Sequence, residues 1–295
     1  MYVIAGFGYV GSALYNTASK RLPHYIIDPQ FPERGSWDLL HSTTQTDTVL
    51  GGLVVSSKRF VEVDGIIVCV STPQAPDGSC NIDNVLDVLK RVAHQYPDVP
   101  VLIKSTLTFG SWDTIKAQRP HMKITYSPEF LKAADAAADF AAQDFVVLGD
   151  DTPDATWTKY FNTVLPKAHI HQCAVKEAIM MKYASNGFLA VKVSFFNHIF
   201  DLCQRQGLDF DVVRSLLIMR DDIGANHTTV TQQRGWGGFC FPKDTAALLH
   251  ACDLMRYDFA TLKAAVDYNW SIRRGILDTK DIVEAVVPKP KHATL

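Results

Sequence analysis

The sequence lacks the features that mark several large classes of protein. Its 29 Lys and Arg residues and 31 Asp and Glu residues nearly cancel, so it has no basic excess to attract nucleic acid or an anionic membrane. No apolar run approaches the roughly 20 residues of a membrane span. The N-terminal segment has no basic residues ahead of its apolar stretch, unlike a secretion signal. We therefore expect a cytoplasmic protein without nucleic-acid or membrane partners.

Paired cysteines at metal-binding spacing are also missing. The six cysteines are scattered along the chain without a C-x-x-C pair, a pattern typical of free thiols in a reducing compartment. His169 and His171 alternate on a predicted strand, but a third ligand does not accompany them, and zinc sites use three or four. The sequence thus predicts no metal site.

The first half of the chain has the pattern of a doubly wound α/β sheet. Short β-rich runs alternate with helical stretches such as 82–96, and the runs are almost continuously apolar. Strands buried on both faces have that composition, which is typical of a parallel sheet covered by helices. The repetition of strand, helix and strand predicts a Rossmann-like fold. The predicted strands are 2–5, 25–28, 66–71, 101–105, 123–126 and 145–148.

The second half of the chain changes to long helical stretches. Residues 174–206 contain no proline and a single glycine, Gly187, and predict a helix about 50 Å long. Its middle, FLAVKVSFFNHIF, is apolar on nearly every side and must be buried all round. Either neighbouring helices cover it or a second copy of the chain does. The few residues that remain favour a homodimer formed through this helix. Further helices are predicted at 243–255 and 258–285.

A glycine-rich turn follows the first predicted strand. Gly6, Gly8 and Gly11 have the G-x-G-x-x-G spacing, which allows a tight turn and a close approach of a pyrophosphate to a helix N-terminus. Asp28 ends the second predicted strand, where a carboxylate accepts hydrogen bonds from ribose hydroxyls and repels a 2′-phosphate. The pattern predicts binding of NAD rather than NADP.

Hydroxyl and carboxylate side chains follow three later strands. Ser71 and Thr72 end one run, Thr106 follows another, and Glu129 follows a third. Because the carboxyl ends of parallel strands face the ligand crevice, these groups are candidates to touch cofactor or substrate. The alternatives are a Ser/Thr cap on the next helix and a solvated loop carboxylate.

Lys182 and Asn186 lie four residues apart on the predicted long helix and therefore share one face. In apolar surroundings the lysine ammonium can polarise a carbonyl or stabilise an alkoxide, and the asparagine can hold a substrate oxygen or a water. The alternative is a lysine whose stem is buried while its charge reaches solvent, beside a structural polar pocket.

The segment GWGGFCFPKD is the most specific part of the sequence. Three glycines precede Cys240 and let the backbone approach a ligand closely. A helix beginning near Pro242 would favour the thiolate form of the cysteine. Asp244, four residues after the cysteine, is placed to orient Lys182 or a water. We interpret Cys240 as a nucleophile rather than as an inert core residue.

Together these segments resemble a known family. GFGYVG, VSTP, KST, SPEFL, KYASN and GGFCFPKD occur in the order seen in the UDP-glucose/GDP-mannose 6-dehydrogenase family, and the similarity covers about residues 1–275. The resemblance implies an NAD-binding domain at 1–170, a central helical dimerisation domain at 171–285 and a flexible tail at 286–295. It implies NAD-dependent four-electron oxidation of a nucleotide sugar at C6, of UDP-glucose to UDP-glucuronate, through a thiohemiacetal and a thioester on Cys240.

The resemblance also implies roles for the residues around the nucleophile. Lys182 and Asn186 stabilise oxyanions, Asp244 and Thr106 position the lysine and a water, and Glu129 assists hydrolysis as a base. The implied cofactor-binding residues are Gly6, Gly8, Tyr9, Val10, Gly11, Asp28, Ser71, Thr72, Pro73 and Thr106. The implied substrate-binding residues are Glu129, Phe130, Leu131, Lys132, Lys182, Asn186, Gly235 and Gly237.

The chain departs from the family pattern in three places. Ala133 stands where the family has an acidic residue. The family's D-x-R-I-G reads 221–224 DDIG here, so a substrate-binding arginine is missing and Arg220 or Arg234 is expected to compensate. Family members continue into a third domain that helps to hold the nucleotide, and the end at Leu295 implies a short form without it.

Two other functions compete with this interpretation. A β-hydroxyacid dehydrogenase also pairs a dinucleotide-binding domain with a helical domain and uses a helix lysine and asparagine. It removes two electrons and needs no thiol, so the glycine-flanked Cys240 argues against it. A non-catalytic NAD-binding scaffold is the other candidate, suggested by the missing domain.

Overall fold

The computed structural model describes residues 1–32, 35, 37, 44–50, 53–59, 62–132, 135–151, 154–238 and 240–273. Ala133, Phe239, the predicted helix beyond residue 273 and the predicted tail lie outside the described residues. The described chain forms two compact units. Unit 1 comprises Met1–Thr72 and Ile82–Ile179, and unit 2 comprises Pro73–Asn81 and the described residues from Met180 onward.

Strands and helices alternate along unit 1. The strands are β1 (Tyr2–Ala5), β2 (His24–Ile27), β3 (Thr44–Leu50), β4 (Leu53–Arg59), β5 (Gly65–Val68), β6 (Val101–Ile103), β7 (Ile124–Tyr126), β8 (Phe145–Gly149) and β9 (His169–Cys173). The helices are α1 (Tyr9–Ala18), α2 (Asp83–Gln95), α3 (Phe109–Gln118), α4 (Ala136–Ala141) and α5 (Ala155–Val164).

Seven of these strands form one sheet in the order β2-β1-β5-β6-β7-β8-β9, while β3 and β4 pair separately as an antiparallel hairpin. The neighbours from β2 to β7 are parallel, as predicted. The exception is β8, which runs antiparallel to β7 through the single pair Tyr126 and Gly149. Strand order reverses at β1, because β2 lies on one side of it and β5 on the other. The carboxyl ends of β1 and β5 therefore flank the crevice where such sheets bind ligands.

A continuous apolar core lies between the sheet and its helices. Trp157, Tyr160 and Phe161 of α5 are almost fully buried against strand residues such as Ile4 and Ile67. This burial explains why the strands read as unbroken apolar runs, and it confirms the predicted doubly wound class. All six predicted strands are present, with ends that differ from the prediction by no more than three residues.

Unit 2 is helical. Its main element is α6 (Val175–Gln206), whose first turn belongs to unit 1 and which agrees with the predicted helix to within one residue at its N-terminal end. The other helices are α7 (Phe210–Leu217), α8 (Phe241–Leu254) and α9 (Ala260–Arg273). Helix α7, which follows the capping residue Asp209, was not predicted from the sequence.

Within the described residues, helix α6 is buried on one side only. Ala190, Val193 and Phe196 pack in two small apolar clusters of unit 2. On another face four large apolar side chains are exposed at intervals of seven residues, and we call them the heptad stripe: Met181, Phe188, Phe195 and Leu202. Phe188 is 66% exposed and Phe195 is 56% exposed. Neighbouring helices of the described chain therefore do not cover α6 all round.

Candidate active site

The candidate residues of unit 1 lie along one edge of the sheet. Each follows a strand of the parallel set: the glycine turn follows β1, Asp28 follows β2, Ser71 follows β5, Thr106 follows β6 and Glu129 follows β7. The carboxyl ends of parallel strands meet at the same edge. The backbone ladder continues past the strands, since Gly6 N donates to Ile27 O (2.9 Å) and Cys69 N donates to Ala5 O (2.7 Å).

The three glycines of the turn serve different purposes. A Cβ on Gly11 would lie 2.1 Å from the carbonyl oxygen of Gly6, so residue 11 must be glycine for α1 to start this close to β1. Gly6 has φ +97° and no room for a side chain beside Cys69. Gly8, the N-cap of α1, has open space around the position of a Cβ. A phosphate can therefore approach the exposed amides of the helix N-terminus at this position, which fits the predicted dinucleotide.

Asp28 is fixed at the end of β2 by two backbone donors. Phe7 N donates to Oδ2 (2.5 Å), and Gln30 N donates to Oδ1 (2.8 Å). The first bond ties the carboxylate to the glycine turn itself. Each oxygen keeps a lone pair with which to accept from a ribose hydroxyl. The geometry thus fits a nucleoside diphosphate whose ribose is recognised at Asp28. Tyr9 and Val10 pack partly buried against the core.

Several hydroxyl groups that follow β5 and β6 form hydrogen bonds within the protein. The cap of α3 is Thr108, whose Oγ1 accepts from Ser111 N (3.1 Å), so the capping alternative for Thr106 does not apply. Ser105 donates to Val70 O (2.7 Å) and links two strand ends. Ser71 accepts through its oxygens from Asn84 Nδ2, at 3.1 and 3.2 Å. Thr72 is buried.

A buried lysine and a buried glutamate follow β6 and β7. Lys104 is 3% exposed, and its Nζ donates to Ser127 O (3.1 Å), with Ser127 Oγ and Pro128 O at 3.4 and 3.5 Å. Glu129, 4% exposed, is the next residue of the same turn. Burial raises the pKa of the Cys69 thiol to about 12, with the Lys104 charge opposing and the Glu129 charge reinforcing the rise. The charges of Lys104 and Glu129 therefore both lie close enough to the Cys69 thiol to affect its pKa.

The residues after Glu129 have unlike environments. Phe130 packs against Phe145, with ring centroids 5.5 Å apart. Leu131 is buried in the core of unit 1, whereas Lys132 is exposed and its backbone N donates to Asp139 Oδ2 (2.8 Å). The predicted substrate contacts of these three residues stay predictions.

Unit 2 brings together three of the residues predicted from the sequence. Asn186 Nδ2 donates to Asp244 Oδ2 at 2.6 Å, a bond between α6 and α8 that spans 58 residues of sequence. Lys182, one turn before Asn186, is 3% exposed, so its charge does not reach solvent. The other oxygen of Asp244 accepts from Lys243 Nζ (2.8 Å). The alternative of a lysine reaching solvent therefore does not hold for Lys182.

Cys240 is the N-cap residue of α8, which begins two residues before the predicted helix at 243–255, so the helix starts near the thiol as expected. It is partly buried, and all six cysteines of the chain are free thiols. Burial by itself lowers the pKa of Lys243, but the charge of Asp244 beside it, those of Cys80 and Cys240, and the hydrogen bond to Asp244 raise the pKa above its ordinary value. Lys243 is thus a cation near the Cys240 sulfur. A neighbouring cation and a helix N-terminus both stabilise a thiolate.

Two glycines before Cys240 have a reason that differs from the predicted one. A Cβ on Gly235 would lie 2.2 Å from Asn269 Oδ1, and one on Gly237 would lie 2.8 Å from Arg273 Nη2. Both glycines therefore make room for side chains of α9. Gly238, with φ +78° and nothing near its Cβ position, is the glycine that leaves open space. Substrate contact at Gly235 and Gly237 stays a prediction.

The two arginines expected to compensate for a missing substrate ligand have protein partners. Arg220 forms an exposed two-point ion pair with Asp222, at 2.7 and 3.1 Å. Arg234 donates to Asp201 (2.6 Å) and to Asn197 (2.9 Å). No role was predicted for Lys104, Lys243, Asn197 or Asn269. Lys104 and Asn197 each interrupt an apolar segment, but that signal does not identify a partner.

The described residues form neither a metal-binding cluster nor a membrane-spanning helix. Cys, His, Asp and Glu side chains do not gather there in groups of three or more that could hold a metal. Among the described helices, including the 32-residue α6, none has the sustained hydropathy needed to cross a bilayer.

Two family models match the chain. Residues 30–164 match the NAD binding domain of the UDP-glucose/GDP-mannose dehydrogenase family, and residues 176–271 match its central domain. The chain is 33% identical over 301 residues to UDP-glucose 6-dehydrogenase YwqF of Bacillus subtilis, covering 93% of this chain and 67% of that protein. It spans between about half and two thirds of the length of the curated relatives it matches.

Solved structures agree with the fold. A UDP-glucose dehydrogenase from Pyrobaculum islandicum superimposes with a TM-score of 0.72 at 25% identity, over 92% of this chain and 68% of that one. A 3-hydroxyisobutyrate dehydrogenase from Mycobacterium tuberculosis superimposes with a TM-score of 0.62 at 15% identity, over 90% of this chain and 91% of that one, a likeness of fold alone. The family matches at both units indicate NAD as the cofactor, and the chain belongs to the UDP-glucose/GDP-mannose dehydrogenase family.

Proposed function

We propose that this chain oxidises the C6 alcohol of a nucleotide sugar, UDP-glucose, to the carboxylate with NAD, and that Cys240 is its covalent nucleophile. The observation that carries the proposal is the position of Cys240 at the N-cap of α8, near the Lys243 cation and one turn before Asp244. The naming of relatives such as YwqF as UDP-glucose 6-dehydrogenases supports the choice of substrate.

Unit 1 supplies the residues that would hold NAD. The amides at the start of α1 would bind the pyrophosphate beside Gly8, and the Asp28 carboxylate would accept hydrogen bonds from the ribose hydroxyls. A 2′-phosphate at Asp28 would meet a like charge, which favours NAD over NADP. NAD, when bound, supplies the hydride acceptor for each of the two oxidations.

The thiol makes a four-electron oxidation possible without loss of the aldehyde. The Cys240 thiolate adds to the carbonyl carbon of the C6 aldehyde, and the carbonyl oxygen takes up a proton to give a thiohemiacetal. Removal of a hydride and of that proton leaves a thioester. Water then adds to the thioester and the C–S bond breaks, which releases the carboxylate and regenerates the thiol. Covalent attachment keeps the reactive aldehyde on the protein between the two oxidations.

Buried polar groups of unit 2 prepare this chemistry. Lys182 places an ammonium in a site shielded from water, where it stabilises negative charge on the C6 oxygen. Asn186 donates to Asp244, which holds its amide in one orientation while the second amide hydrogen can reach an oxyanion. In unit 1, Glu129 and Thr106 are proposed to hold and deprotonate the hydrolytic water.

The test is the stoichiometry of NAD reduction over a panel of nucleotide sugars. We expect two NADH for each UDP-glucose consumed, and loss of the second oxidation in Cys240→Ala. Cys252→Ala, which removes another thiol of α8, serves as the matched control and should keep both oxidations. One NADH per turnover with an active Cys240→Ala enzyme would point instead to a two-electron hydroxyacid dehydrogenase. NAD binding without turnover on any sugar would point to a scaffold.

We also propose that two chains associate through the heptad stripe of α6. Large apolar side chains at a seven-residue spacing are typical of helices that pack along a partner helix. Exposed apolar area of this kind is costly in a monomer. Sedimentation at micromolar concentration should give a dimer, and the double change Phe188→Ser with Phe195→Ser should give a monomer. Leu254→Ser, an exposed leucine at the end of α8, is the control. A monomeric unaltered protein would refute the proposal.

A further inference from the structure

The segment that leads to Cys240 has no regular secondary structure, although part of it is buried. We call residues 234–238 together with Cys240 the cysteine loop. Trp236 is 4% exposed, and Arg234, Gly235 and Gly238 have positive φ angles. Buried backbone N–H and C=O groups without a hydrogen bond cost free energy, and a loop has no ladder to supply one. Other groups must therefore satisfy this backbone.

An asparagine of α6 holds the first part of the loop. Asn197 is 1% exposed, and its Oδ1 accepts from Gly235 N (3.0 Å) and from Arg234 Nε (2.9 Å). Its Nδ2 donates to Val193 O (2.9 Å) in its own helix, which fixes the orientation of the amide. Both bonds to the loop thus depend on a single oxygen atom.

An asparagine of α9 holds the centre of the loop. Asn269 is fully buried, and its amide makes a two-point pair with the backbone of Trp236: Oδ1 accepts from the N–H (2.7 Å) and Nδ2 donates to the C=O (3.0 Å). Arg273, one turn further along α9, donates from Nη1 to Arg234 O (3.0 Å). Side chains of two helices therefore satisfy four backbone groups within three consecutive residues.

The glycines of the loop are consistent with this arrangement. A side chain at residue 235 would displace Asn269, and one at residue 237 would displace Arg273, at the contact distances given above. The loop thus lies in close contact with the groups that bind it. Four residues after Trp236 the chain reaches Cys240 and α8 begins. The backbone that Asn197 and Asn269 bind therefore leads directly to the thiol.

We propose that Asn197 and Asn269 are positioning residues that hold the cysteine loop so that the Cys240 thiol meets the C6 aldehyde before the aldehyde escapes. This inference rests on the proposed function of Cys240. Neither asparagine is expected to touch the substrate, because each uses its amide on the protein backbone. Their effect is on the capture step, since a displacement of about 1 Å at a reacting atom can slow a reaction by about 100-fold.

The first experiment compares two changes at one position. Asn197→Asp loses the bond to Val193 O within α6, but it keeps an oxygen that accepts from Gly235 N and Arg234 Nε, and the Arg234 guanidinium offsets its charge. Asn197→Ala removes that oxygen. We expect Asn197→Ala to lower kcat by roughly 10- to 100-fold with a change in KM below about threefold. We expect its NADH yield to fall from two toward one per sugar, with the released aldehyde trapped by semicarbazide. Asn197→Asp should restore a yield of two.

The yield separates positioning from a general loss of structure. A preparation that is partly unfolded turns over more slowly, but its folded molecules still produce two NADH per sugar. Ser194→Ala is the matched control, because Ser194 is equally buried on α6 and accepts from the indole of Trp236 (3.1 Å) rather than holding the loop backbone. Its yield should stay at two.

A second position guards against an unfolded variant. If Asn197→Ala does not fold by circular dichroism, Asn269→Asp tests the same proposal without a change in size, since its carboxylate keeps the bond from Trp236 N but opposes Trp236 O. It should also lower the yield below two. Variants of both asparagines with a yield of two and unchanged kcat would overturn the inference. Cys240→Ala, measured beside them, distinguishes this failure from that of the proposed function: if it too retains both oxidations, the nucleophile itself is wrong.

Discussion

In unit 1 the candidate cofactor residues follow the ends of parallel strands, whereas in unit 2 the catalytic candidates are joined by hydrogen bonds between buried side chains of separate helices. Asp28 is placed by the backbone amides of Phe7 and Gln30, in the turns that follow β1 and β2, at 2.5 and 2.8 Å. Asp244 is placed by side chains, Asn186 of α6 and Lys243 of its own helix. The candidate site of unit 1 is therefore positioned by backbone groups, and that of unit 2 is positioned by hydrogen bonds between side chains.

This difference predicts where each unit is vulnerable. A site built at strand ends tolerates changes of side chain but not changes that move the backbone. A site built from buried polar groups depends on each member having its partner, because an unpaired buried charge is costly. Changes to buried polar residues should therefore have the larger effects in unit 2.

The largest effect is expected for Asp244→Asn. Asp244 is 2% exposed and pairs with the ammonium of Lys243 and the amide of Asn186. The change keeps the size of the side chain but leaves the partly buried ammonium of Lys243 without its counter-charge, at a cost of about 2–3 kcal/mol, which is below that of a fully buried pair. Urea unfolding should show this loss, together with a fall in the rate of NADH formation.

The control for this change is Asp222→Asn. Asp222 also pairs with a cation, Arg220, but both side chains are about two thirds exposed. Such pairs contribute no more than about 1 kcal/mol. If both variants lose the same small free energy of unfolding, the buried network does not stabilise unit 2 and the comparison between the units fails.

An intermediate effect is expected at the glycine turn of unit 1, where two alanine changes should separate folding from binding. Gly11→Ala places a Cβ 2.1 Å from Gly6 O and should cost about 1–3 kcal/mol of stability. Gly8→Ala has open space and should change stability by less than about 0.5 kcal/mol. It should nevertheless weaken NAD binding roughly 10-fold, because the methyl group occupies the approach of the pyrophosphate.

Thermal unfolding and calorimetric titration with NAD measure the two quantities independently. Unchanged affinity in Gly8→Ala would mean that the pyrophosphate does not bind across this turn. A stable Gly11→Ala protein would mean that α1 can move away from β1.

The same contrast explains which features the sequence could predict. The parallel strands and α6 follow from local patterns, and the start of α8 at Phe241 follows from Pro242 and the cysteine before it. The reversed direction of β8 could not be predicted from the sequence, because β8 is as apolar as the parallel strands β5, β6 and β7. Helix α7, only eight residues long, was missed for lack of a long periodic pattern.

The bonds within unit 2 could not be predicted, although several of their residues were. Asn186 and Asp244 were both candidates, but their mutual hydrogen bond joins residues 58 positions apart. The pair of Asn269 with Trp236 spans 33 positions. Residue type indicates that an amide needs a partner and does not say which one. By contrast, Asp28 was located correctly because its partner is the turn at the end of the neighbouring strand.

The smallest effect is expected at Asp150, which follows β8 in unit 1. Its carboxylate accepts a hydrogen bond from the neutral Thr125 hydroxyl, whereas that of Asp244 pairs with a charged lysine. Burial raises the pKa of Asp150 above its ordinary value, the bond from Thr125 opposes the rise, and the charges of Asp154 and Asp151 add to it.

The sign of the pH dependence follows from this raised pKa. The folded protein binds the Asp150 proton more tightly than the unfolded chain does, so the carboxyl favours folding at low pH, and this contribution is lost as pH rises from about 4 through the folded pKa. Asp150→Asn, whose amide oxygen can still accept from Thr125, should therefore raise the Tm at pH 7 by no more than about 2 °C, since the site is only half-buried. The difference in Tm should shrink toward pH 4, and Asp98→Asn, which removes an exposed carboxylate of the same unit, is measured beside it as the control. A lower Tm for Asp150→Asn at pH 7 would mean that the ionised carboxylate stabilises unit 1, and that charge rather than backbone placement matters at this strand end as it does around Asp244.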